Sequence, residues 1–427
     1  MPLRLLGLCG CLLLLNAPLS ADDWSQWRGP DRSNRSSETG LYSTWGEEGP
    51  PLVWMAEGAG KGYAGISVVD GKIFTTGNFE DGQAVTAFDV ATGKRLWKTA
   101  VTDRAPKHGY DGSRSTPTVD GERLYLVPSD GRIVCLKATD GSEVWSRNFD
   151  QWQGKMMSGW GFSESPLVDG NQVICTPGGA AGLMVALDKM TGEEIWASTL
   201  TDNQAASDGQ DKPTKDGAGY ASPVISNAAG VRQYVQLVGK GLVGVEAETG
   251  KVLWRYARVA NTTANIPTPI VDGDYIFTST AYNTGSALLH LQADGQGGVQ
   301  AEEVYWLDGR ELQNKHGGMI LVDGYIYCGH GNGNGLPICV EMRTGKIAWG
   351  PERAEGKGES AVTYADGHVI FRRDDGTVLL VRATPEKFEL VKQLTPAFQE
   401  GKSWAHPVIA GGRLYLREND KLMAYQL

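Results

Sequence analysis

The sequence predicts an all-β fold, an eight-bladed β-propeller of four-stranded antiparallel blades. Three observations predict it: an eleven-residue repeat that ends in tryptophan, Val-Asp-Gly hairpins upstream of the repeat, and a high glycine content (57 of 427 residues). Dense glycine with scattered aromatic residues suits short strands joined by tight turns rather than helices. The five clear copies of the repeat are Ala87–Trp97, Cys135–Trp145, Ala186–Trp196, Gly244–Trp254 and Cys339–Trp349.

Each copy of the repeat has the pattern of a β-hairpin. An alternating strand ends near an acidic residue, a Thr-Gly or Asp-Gly pair makes the turn, and a second strand leads to the tryptophan. Glycine supplies the left-handed conformation of the turn, and the tryptophan buries a large face between neighbouring sheets. A second hairpin lies upstream, as in Val69-Asp70-Gly71, so each unit forms one four-stranded blade.

Three degenerate units complete the count of blades. One unit ends at Trp306 after a lengthened turn, and another ends near Leu390, with leucine where tryptophan is expected. The last unit stops after its third strand, and Leu52-Val53-Trp54 matches the missing fourth strand. An N-terminal strand therefore closes the last blade, which removes an open sheet edge. The predicted structural tryptophans are Trp54, Trp97, Trp145, Trp196, Trp254, Trp306 and Trp349.

Three segments follow from this interpretation: a signal peptide over residues 1–21, an N-terminal extension over 22–50 and the propeller over 51–427. A short apolar run precedes small residues before Asp22, which predicts an exported protein, periplasmic or extracellular. Lipidation at Cys9 or Cys11 is the less favoured alternative, since the apolar run continues beyond both cysteines. No later segment is long and apolar enough to span a bilayer. We expect a monomer.

The charge pattern bears on the partners of the chain. The net charge is −10, and the sequence has no block of lysine and arginine of the kind that binds phosphate backbones. Nucleic acid is therefore excluded as an expected partner. We therefore expect the chain to bind a protein partner or a small ligand at the propeller rim.

The repeats resemble the quinoprotein, or PQQ-like, propeller family, whose docking motif is A-x-D-x-x-T-G-x-x-x-W. The resemblance covers about Leu52 to Leu427. One branch of that family contains PQQ- and calcium-dependent alcohol dehydrogenases, and another contains non-catalytic propellers such as BamB. The segment Trp24–Pro30 resembles the opening of a third group, exported PQQ-like propellers of planctomycete-type bacteria. Fold does not decide among these branches.

The cysteines do not match the dehydrogenase branch, which carries an adjacent Cys-Cys pair beside the quinone. This chain has no such pair and no Cys-x-x-Cys-His haem attachment. Cys135, Cys175, Cys328 and Cys339 replace small strand residues of the repeat, which favours buried thiols. Cys328 and Cys339 lie on neighbouring strands, so a disulfide between them is the alternative.

Candidate ligand-binding residues lie where the innermost strands enter the central funnel. Among the residues at this rim, the resemblance suggests Trp404 as a stacking surface for a quinone and Arg114 as a group near the quinone carbonyls. It suggests Glu164 and Asn265 as oxygen ligands for calcium. The alternative is that these are the mixed polar and aromatic residues that line any propeller rim. The rim residues are Arg114, Phe162, Glu164, Tyr220, Asn265, His316, Glu359, Trp404 and His406, with Lys107, His108, Tyr110, Trp160 and Lys315 nearby.

No catalytic motif accompanies the repeat. The sequence has no G-x-S-x-G elbow and no closely spaced pair of histidines, and the rim set lacks an aspartate base. The leading hypothesis is an exported, non-catalytic propeller that acts as a protein-interaction or ligand-binding scaffold. The alternative is a PQQ- and calcium-dependent oxidoreductase, similar to an alcohol dehydrogenase, that uses the funnel.

Overall fold

The structure is a computed structural model that describes residues 23–43, 45–200, 206 and 215–427. It confirms the fold class: eight separate sheets, each of four antiparallel strands, follow one another along the chain. The first strands of successive blades approach one another and are mostly buried, so they surround the axis of the ring. The predicted signal peptide lies outside the described residues.

The strands of the first four blades are consecutive along the chain. They are, blade by blade, β2 Ser67–Val69, β3 Lys72–Phe79, β4 Gly82–Asp89, β5 Arg95–Ala100; β6 Thr118–Asp120, β7 Arg123–Leu126, β8 Arg132–Lys137, β9 Glu143–Asn148; β10 Leu167–Asp169, β11 Gln172–Cys175, β12 Val185–Asp188, β13 Glu194–Ala197; β14 Val224–Ser226, β15 Gln233–Val238, β16 Gly241–Glu246 and β17 Val252–Tyr256.

The last four blades follow the same plan, except that blade eight takes its outer strand from the N-terminal side. Two short 3-10 helices, Phe149–Trp152 and Ala228–Gly230, lie between strands of the first half. The strands are β18 Ile270–Asp272, β19 Tyr275–Thr280, β20 Gly285–Ala293, β21 Val299–Leu307; β22 Met319–Val322, β23 Tyr325–His330, β24 Leu336–Glu341, β25 Ile347–Trp349; β26 Ser360–Ala365, β27 His368–Arg373, β28 Val378–Arg382, β29 Leu390–Leu394; β30 Val408–Ala410, β31 Arg413–Glu418, β32 Lys421–Gln426 and β1 Leu52–Glu57.

The N-terminal strand closes the ring as predicted. Strand β1 pairs antiparallel with β32, and Trp54 lies opposite Ala424. Both ends of the propeller therefore meet in one sheet, and β1 covers the edge that β32 would otherwise leave unpaired.

Tryptophans on the outer strands of blades eight, one, two and three dock onto the turn of the following blade. Trp54 lies against the turn of blade one, where a Cβ on Gly93 would come within 2.7 Å of the indole ring. Gly93 has φ +70°, so glycine there serves both the turn and the close approach. The Trp54 indole N–H donates to the Val90 carbonyl at 2.9 Å. Trp97, Trp145 and Trp196 lie in the same way against Gly141, Gly192 and Gly250.

Blade five differs from the sequence-based assignment because its longer hairpin shifts the register by one residue. Tyr305, not Trp306, lies against the glycine of the next turn, Gly345, and its hydroxyl donates to the Met342 carbonyl at 2.6 Å. Trp306 instead carries the Arg258 guanidinium over its face at 4.1 Å. Tyr305 is thus the docking residue of this blade.

Blades four and seven show that a docking residue needs a tight turn in the following blade to pack against. The turn of blade five is lengthened, and Trp254 of blade four donates its indole N–H within its own blade, to Gln233 at 2.6 Å. In blade seven the residue opposite Leu380, where the other blades place tryptophan, is Lys392 and not Leu390. Blade eight has no hairpin between its third and fourth strands, because β1 supplies the fourth. An aromatic residue at Lys392 would therefore have no turn to meet.

The four cysteines of the described chain are buried free thiols. Cys328 pairs with Ile338, and Cys339 pairs with Tyr327, so the two cysteines are offset by one residue. Because strand residues alternate between faces, Cys328 packs toward blade five and Cys339 toward blade seven. The disulfide considered between them does not form. Within the described ranges, no helix has the length and apolar character to cross a membrane.

Candidate functional site

A cavity of about 340 Å³ lies on the axis of the ring. Its walls come from the segments that lead into the first strands of seven blades, all except blade seven, and from Tyr282 in the loop between β19 and β20. The lining residues are Trp27, Arg28, Tyr63, Tyr110, Arg114, Trp160, Ser163, Ser165, Tyr220, Ser222, Thr263, Ala264, Ile266, Pro267, Thr268, Tyr282, Lys315, His316, Gly318, Trp404 and His406.

The N-terminal extension forms the floor of this cavity. Residues 24–36, here called the plug, cross the axis and bond to every blade, so they tie the first strands together. Trp27 and Arg28 of the plug line the cavity. The contacts, in blade order, are Trp24 with Val68, Ser25 with Val119, Arg32 with Pro166 and then Pro223, Arg28 with Thr268 and Met319, and Asn34 with Val362 and His406.

Two buried arginines hold the plug in place. Arg32 donates to the carbonyls of Ser165 at 3.0 Å, Pro223 at 2.9 Å and Pro166 at 2.5 Å. Burial lowers the pKa of Arg28 to about 10 and that of Arg32 to about 9. Both side chains remain charged at neutral pH, and the carbonyl dipoles of the ring compensate for much of the lost hydration.

The cavity wall is a set of tilted aromatic rings around Trp404. Its ring centroid lies 4.6 Å from Tyr63, 5.0 Å from Tyr110 and 4.6 Å from His316, with interplanar angles of 41°, 57° and 54°. The Trp404 indole N–H donates to Asp374 at 2.9 Å, which fixes the orientation of the ring. Such rings provide apolar area with little conformational entropy to lose.

Arg114, the second predicted site residue in the wall, is largely committed to the protein. Its guanidinium donates to the carbonyls of Gly112 and Trp160 at 3.1 Å and of Tyr110 at 2.7 Å, and it lies 5.5 Å from the centre of the Tyr63 ring. Desolvation lowers its pKa. Arg114 therefore shapes the wall and contributes positive charge, with few donors left for a ligand.

Glu164 and Asn265, the other two predicted site residues, do not line the cavity. Glu164 is buried, where it accepts from the Thr176 amide and from Gln236, and burial raises its pKa to about 7. Asn265 donates to the Val238 carbonyl at 2.9 Å and accepts from the Asn261 amide. Both side chains stabilise strand entries.

The titratable groups at the cavity are cationic or neutral. Desolvation lowers the pKa values of both His316 and His406, and it lowers that of His406 to about 3. Both rings are therefore neutral at physiological pH. The Lys315 ammonium lies 4.0 Å from the Glu359 carboxylate behind the wall. Burial raises the pKa of Glu359 to about 7, so this carboxylate is only partly ionised at neutral pH.

The residues present do not fit a quinone held by calcium. Calcium in proteins is bound by six to eight oxygen atoms, several of them from carboxylates. Among the described residues that line the cavity there is no Asp or Glu. The described chain also has no group of three or more metal-ligating side chains. The arrangement is instead suited to holding an organic molecule between aromatic faces, hydroxyl groups and positive charge.

Sequence reasoning did not assign Trp27, Arg28, Tyr63 and Tyr282 to the cavity, although all four line it. For Trp27 and Arg28 the available signal was the segment Trp24–Pro30, whose aromatic and arginine residues stand outside the repeat, whereas Tyr63 and Tyr282 lie in loops that no motif marks.

Comparison with protein families and curated sequences relates the chain to two kinds of protein. The model of the family described as outer membrane protein assembly factor BamB matches residues 80–351. The chain is 27% identical over 231 residues to outer membrane protein assembly factor BamB of Kangiella koreensis, covering 52% of this chain and 49% of that protein. It is 25% identical over 254 residues to quinoprotein ethanol dehydrogenase of Pseudomonas putida, covering 45% and 39%. The chain thus spans less than half the length of these relatives.

Solved structures show the same fold. BamB from Moraxella catarrhalis superposes with a TM-score of 0.59 at 14% identity, covering 88% of this chain and 97% of that one. Quinohemoprotein alcohol dehydrogenase from Comamonas testosteroni superposes with a TM-score of 0.64 at 16% identity, covering 95% and 80%.

Proposed function

Because the chain belongs to the family described as outer membrane protein assembly factor BamB, we propose that it is an exported, non-catalytic propeller that acts as a binding scaffold. Its binding site for a small ligand is the axial cavity. The observation that carries this proposal is the form of that cavity, which has a floor made by the plug and tilted aromatic walls, without a carboxylate among the described lining residues. Such a pocket offers contact area, and its two histidines are weak bases because desolvation lowers their pKa values.

The rim loops form the second part of the proposal. The family description names an assembly factor, which favours contact with a protein partner at the exposed loops around the cavity mouth. Tyr110 is exposed there and also contacts Trp404, so a partner on the rim would meet the mouth of the ligand site. We propose that the chain acts as a monomer outside the cytoplasm, after removal of residues 1–21.

Ligand-observed NMR tests the cavity as a binding site. The purified chain is screened against small sugars, aromatic acids and amines, and the hits are measured again with Trp404→Leu and Trp306→Leu. Trp306 is a matched control, since it is half-buried on an outer strand under Arg258. We expect the hits to weaken at least about tenfold with Trp404→Leu and to persist with Trp306→Leu. Equal effects of the two substitutions would place binding elsewhere.

A PQQ- and calcium-dependent oxidoreductase is the second candidate function. It is favoured by the similarity to quinoprotein ethanol dehydrogenase and by the position of Arg114 and Trp404 in the cavity wall. The proposed calcium ligands argue against it, since Glu164 accepts a hydrogen bond from the Thr176 amide and Asn265 donates one to the Val238 carbonyl. Dye-linked alcohol oxidation in the presence of PQQ and calcium decides between the two functions, and sustained turnover would replace the scaffold proposal.

A further inference from the structure

The charges at the cavity select the sign of the ligand. Arg28, Arg114 and Lys315 line it, whereas no described lining residue is acidic, although the whole chain has a net charge of −10. The local excess of positive charge in a partly desolvated space favours an anion and disfavours a cation. His316 and His406 are neutral, and the His406 ring lies within hydrogen-bond distance of the Asn34 side chain and the His316 carbonyl.

Lys315 is the cation that can meet a ligand. Arg114 uses its donors on backbone carbonyls, and Arg28 donates to carbonyls of blades five and six from the floor. The Lys315 ammonium is at 4.0 Å from Glu359, beyond hydrogen-bond distance, and 5.5 Å from the centre of the Tyr282 ring. Glu359 is itself held by the Gly333 amide. The ammonium of Lys315 therefore has donor capacity for an acidic group in the cavity.

The ring geometry selects the shape of the ligand. Around Trp404 the interplanar angles are 41°, 57° and 54°, and Trp160 meets Tyr220 at 61°. The rings of each pair touch and are tilted, so together they form a faceted wall that has no single flat face to match a flat polycyclic ligand. A puckered ring, with C–H groups on several sides, can contact several tilted faces at once.

Side-chain hydroxyl groups at the cavity favour a ligand that carries hydroxyls of its own. Within the described part of the chain, the side-chain hydroxyls of Tyr63, Tyr110, Tyr282 and Thr263 have no hydrogen-bond partner, and all four residues line the cavity. Arg28 Nε at the floor is buried and likewise has no acceptor there. These groups can exchange hydrogen bonds with a ligand that carries many hydroxyls.

We propose that the axial cavity binds an acidic saccharide, a sugar ring that carries a carboxylate or a sulfate. The acidic group pairs with Lys315, the ring packs against Trp404, and its hydroxyls meet the tyrosines of the wall. This inference rests on the proposed ligand-binding function and adds the chemical class of the ligand.

Calorimetric titration of the purified chain tests the proposal with four probes: digalacturonate, a sulfated disaccharide, the uncharged galactobiose and the flat 2,6-naphthalenedicarboxylate. We expect at least one acidic sugar to bind about tenfold more tightly than galactobiose and than the flat dianion. The two acidic probes distinguish a carboxylate from a sulfate ligand.

Two pairs of variants locate the contact. Lys315→Gln should weaken the acidic sugar about tenfold and bring it close to galactobiose, while Lys94→Gln, at an exposed lysine of a blade turn, should leave its affinity unchanged. Trp404→Leu should weaken both sugars, and Trp306→Leu neither. Thermal melting of each variant verifies that it is folded.

Other outcomes overturn the inference at different levels. Equal affinity for galactobiose and the acidic sugars, or preference for the flat dianion, contradicts the saccharide class but leaves the cavity as a binding site, provided that Trp404→Leu abolishes the binding. The absence of binding by both acidic sugars also contradicts it. If, in addition, the NMR screen yields no ligand that depends on Trp404, the proposed binding function fails as well.

Discussion

Replacing Arg32 with methionine removes the guanidinium that ties the plug to two blades. The side chain is buried and donates four hydrogen bonds, to the carbonyls of Ser165, Pro166 and Pro223 and to the Gln26 side chain at 2.9 Å. Methionine has a similar reach and preserves much of the apolar stem contact. The substitution therefore removes the charged donor from three buried carbonyls, of which only that of Pro166 keeps another bond, from the Thr118 hydroxyl at 2.6 Å.

The expected loss follows from these contacts. A hydrogen bond from a charged donor contributes about 1.5 kcal/mol net, so the three carbonyl contacts suggest about 4.5 kcal/mol. The methionine variant avoids burying a charge, which offsets part of this loss, and we expect a net destabilisation of about 3 kcal/mol. With an unfolding entropy of about 2.1 cal/mol/K per residue, this corresponds to a fall of about 3–4 °C in Tm for a chain of this size.

Differential scanning calorimetry measures the effect, and Arg35→Met is the matched control. Arg35 lies three residues away, is exposed, and donates to one carbonyl, that of Leu321, at 3.1 Å. We expect its Tm to change by less than about 1 °C. If the two variants melt at the same temperature, the plug does not tie the blades together, and the floor of the cavity is not the fixed surface described above.

Three further predictions concern the ring. Tyr305→Ala should lower the free energy of unfolding, measured by urea denaturation, by about 3 kcal/mol, and Trp306→Ala by about 1 kcal/mol; the reverse order would restore Trp306 as the docking residue. Between pH 7 and pH 5 the free energy of unfolding of the wild type should fall by about 2 kcal/mol more than that of His406→Phe. The reason is that His406 takes up a proton below pH 6.5 in the unfolded chain but stays neutral in the folded chain down to about pH 3. Parallel pH profiles of the two proteins would contradict this. Dithiothreitol should leave Tm unchanged, since Cys328 and Cys339 are free thiols, and a large fall would indicate a disulfide.

The periodic features of this fold could be predicted from the sequence, and the features that depend on register could not. Closure by Trp54 follows from a last unit that lacks a fourth strand, and the structure confirms it. The assignment of Trp306 misses the docking residue because one extra residue in a hairpin exchanges adjacent side chains. The same alternation separates Cys328 from Cys339, although their strands are neighbours.

The candidate site was predicted in part for a similar reason. Arg114 and Trp404 line the cavity, whereas Glu164 and Asn265, also at strand entries, turn their polar atoms to neighbouring backbone groups. The plug could not be predicted, since its arginines bond to backbone carbonyls, and carbonyls carry no sequence signal. A single basic side chain gives no indication of the blades that it will join.

The thermal shift produced by PQQ, measured once with calcium and once with EDTA, tests most directly whether the axial cavity is a binding site without a calcium–quinone centre. Because the described lining residues include no carboxylate, we predict that calcium adds no stabilisation to that obtained with PQQ alone. A calcium-dependent rise in Tm of several degrees, accompanied by dye-linked alcohol oxidation, would contradict the account.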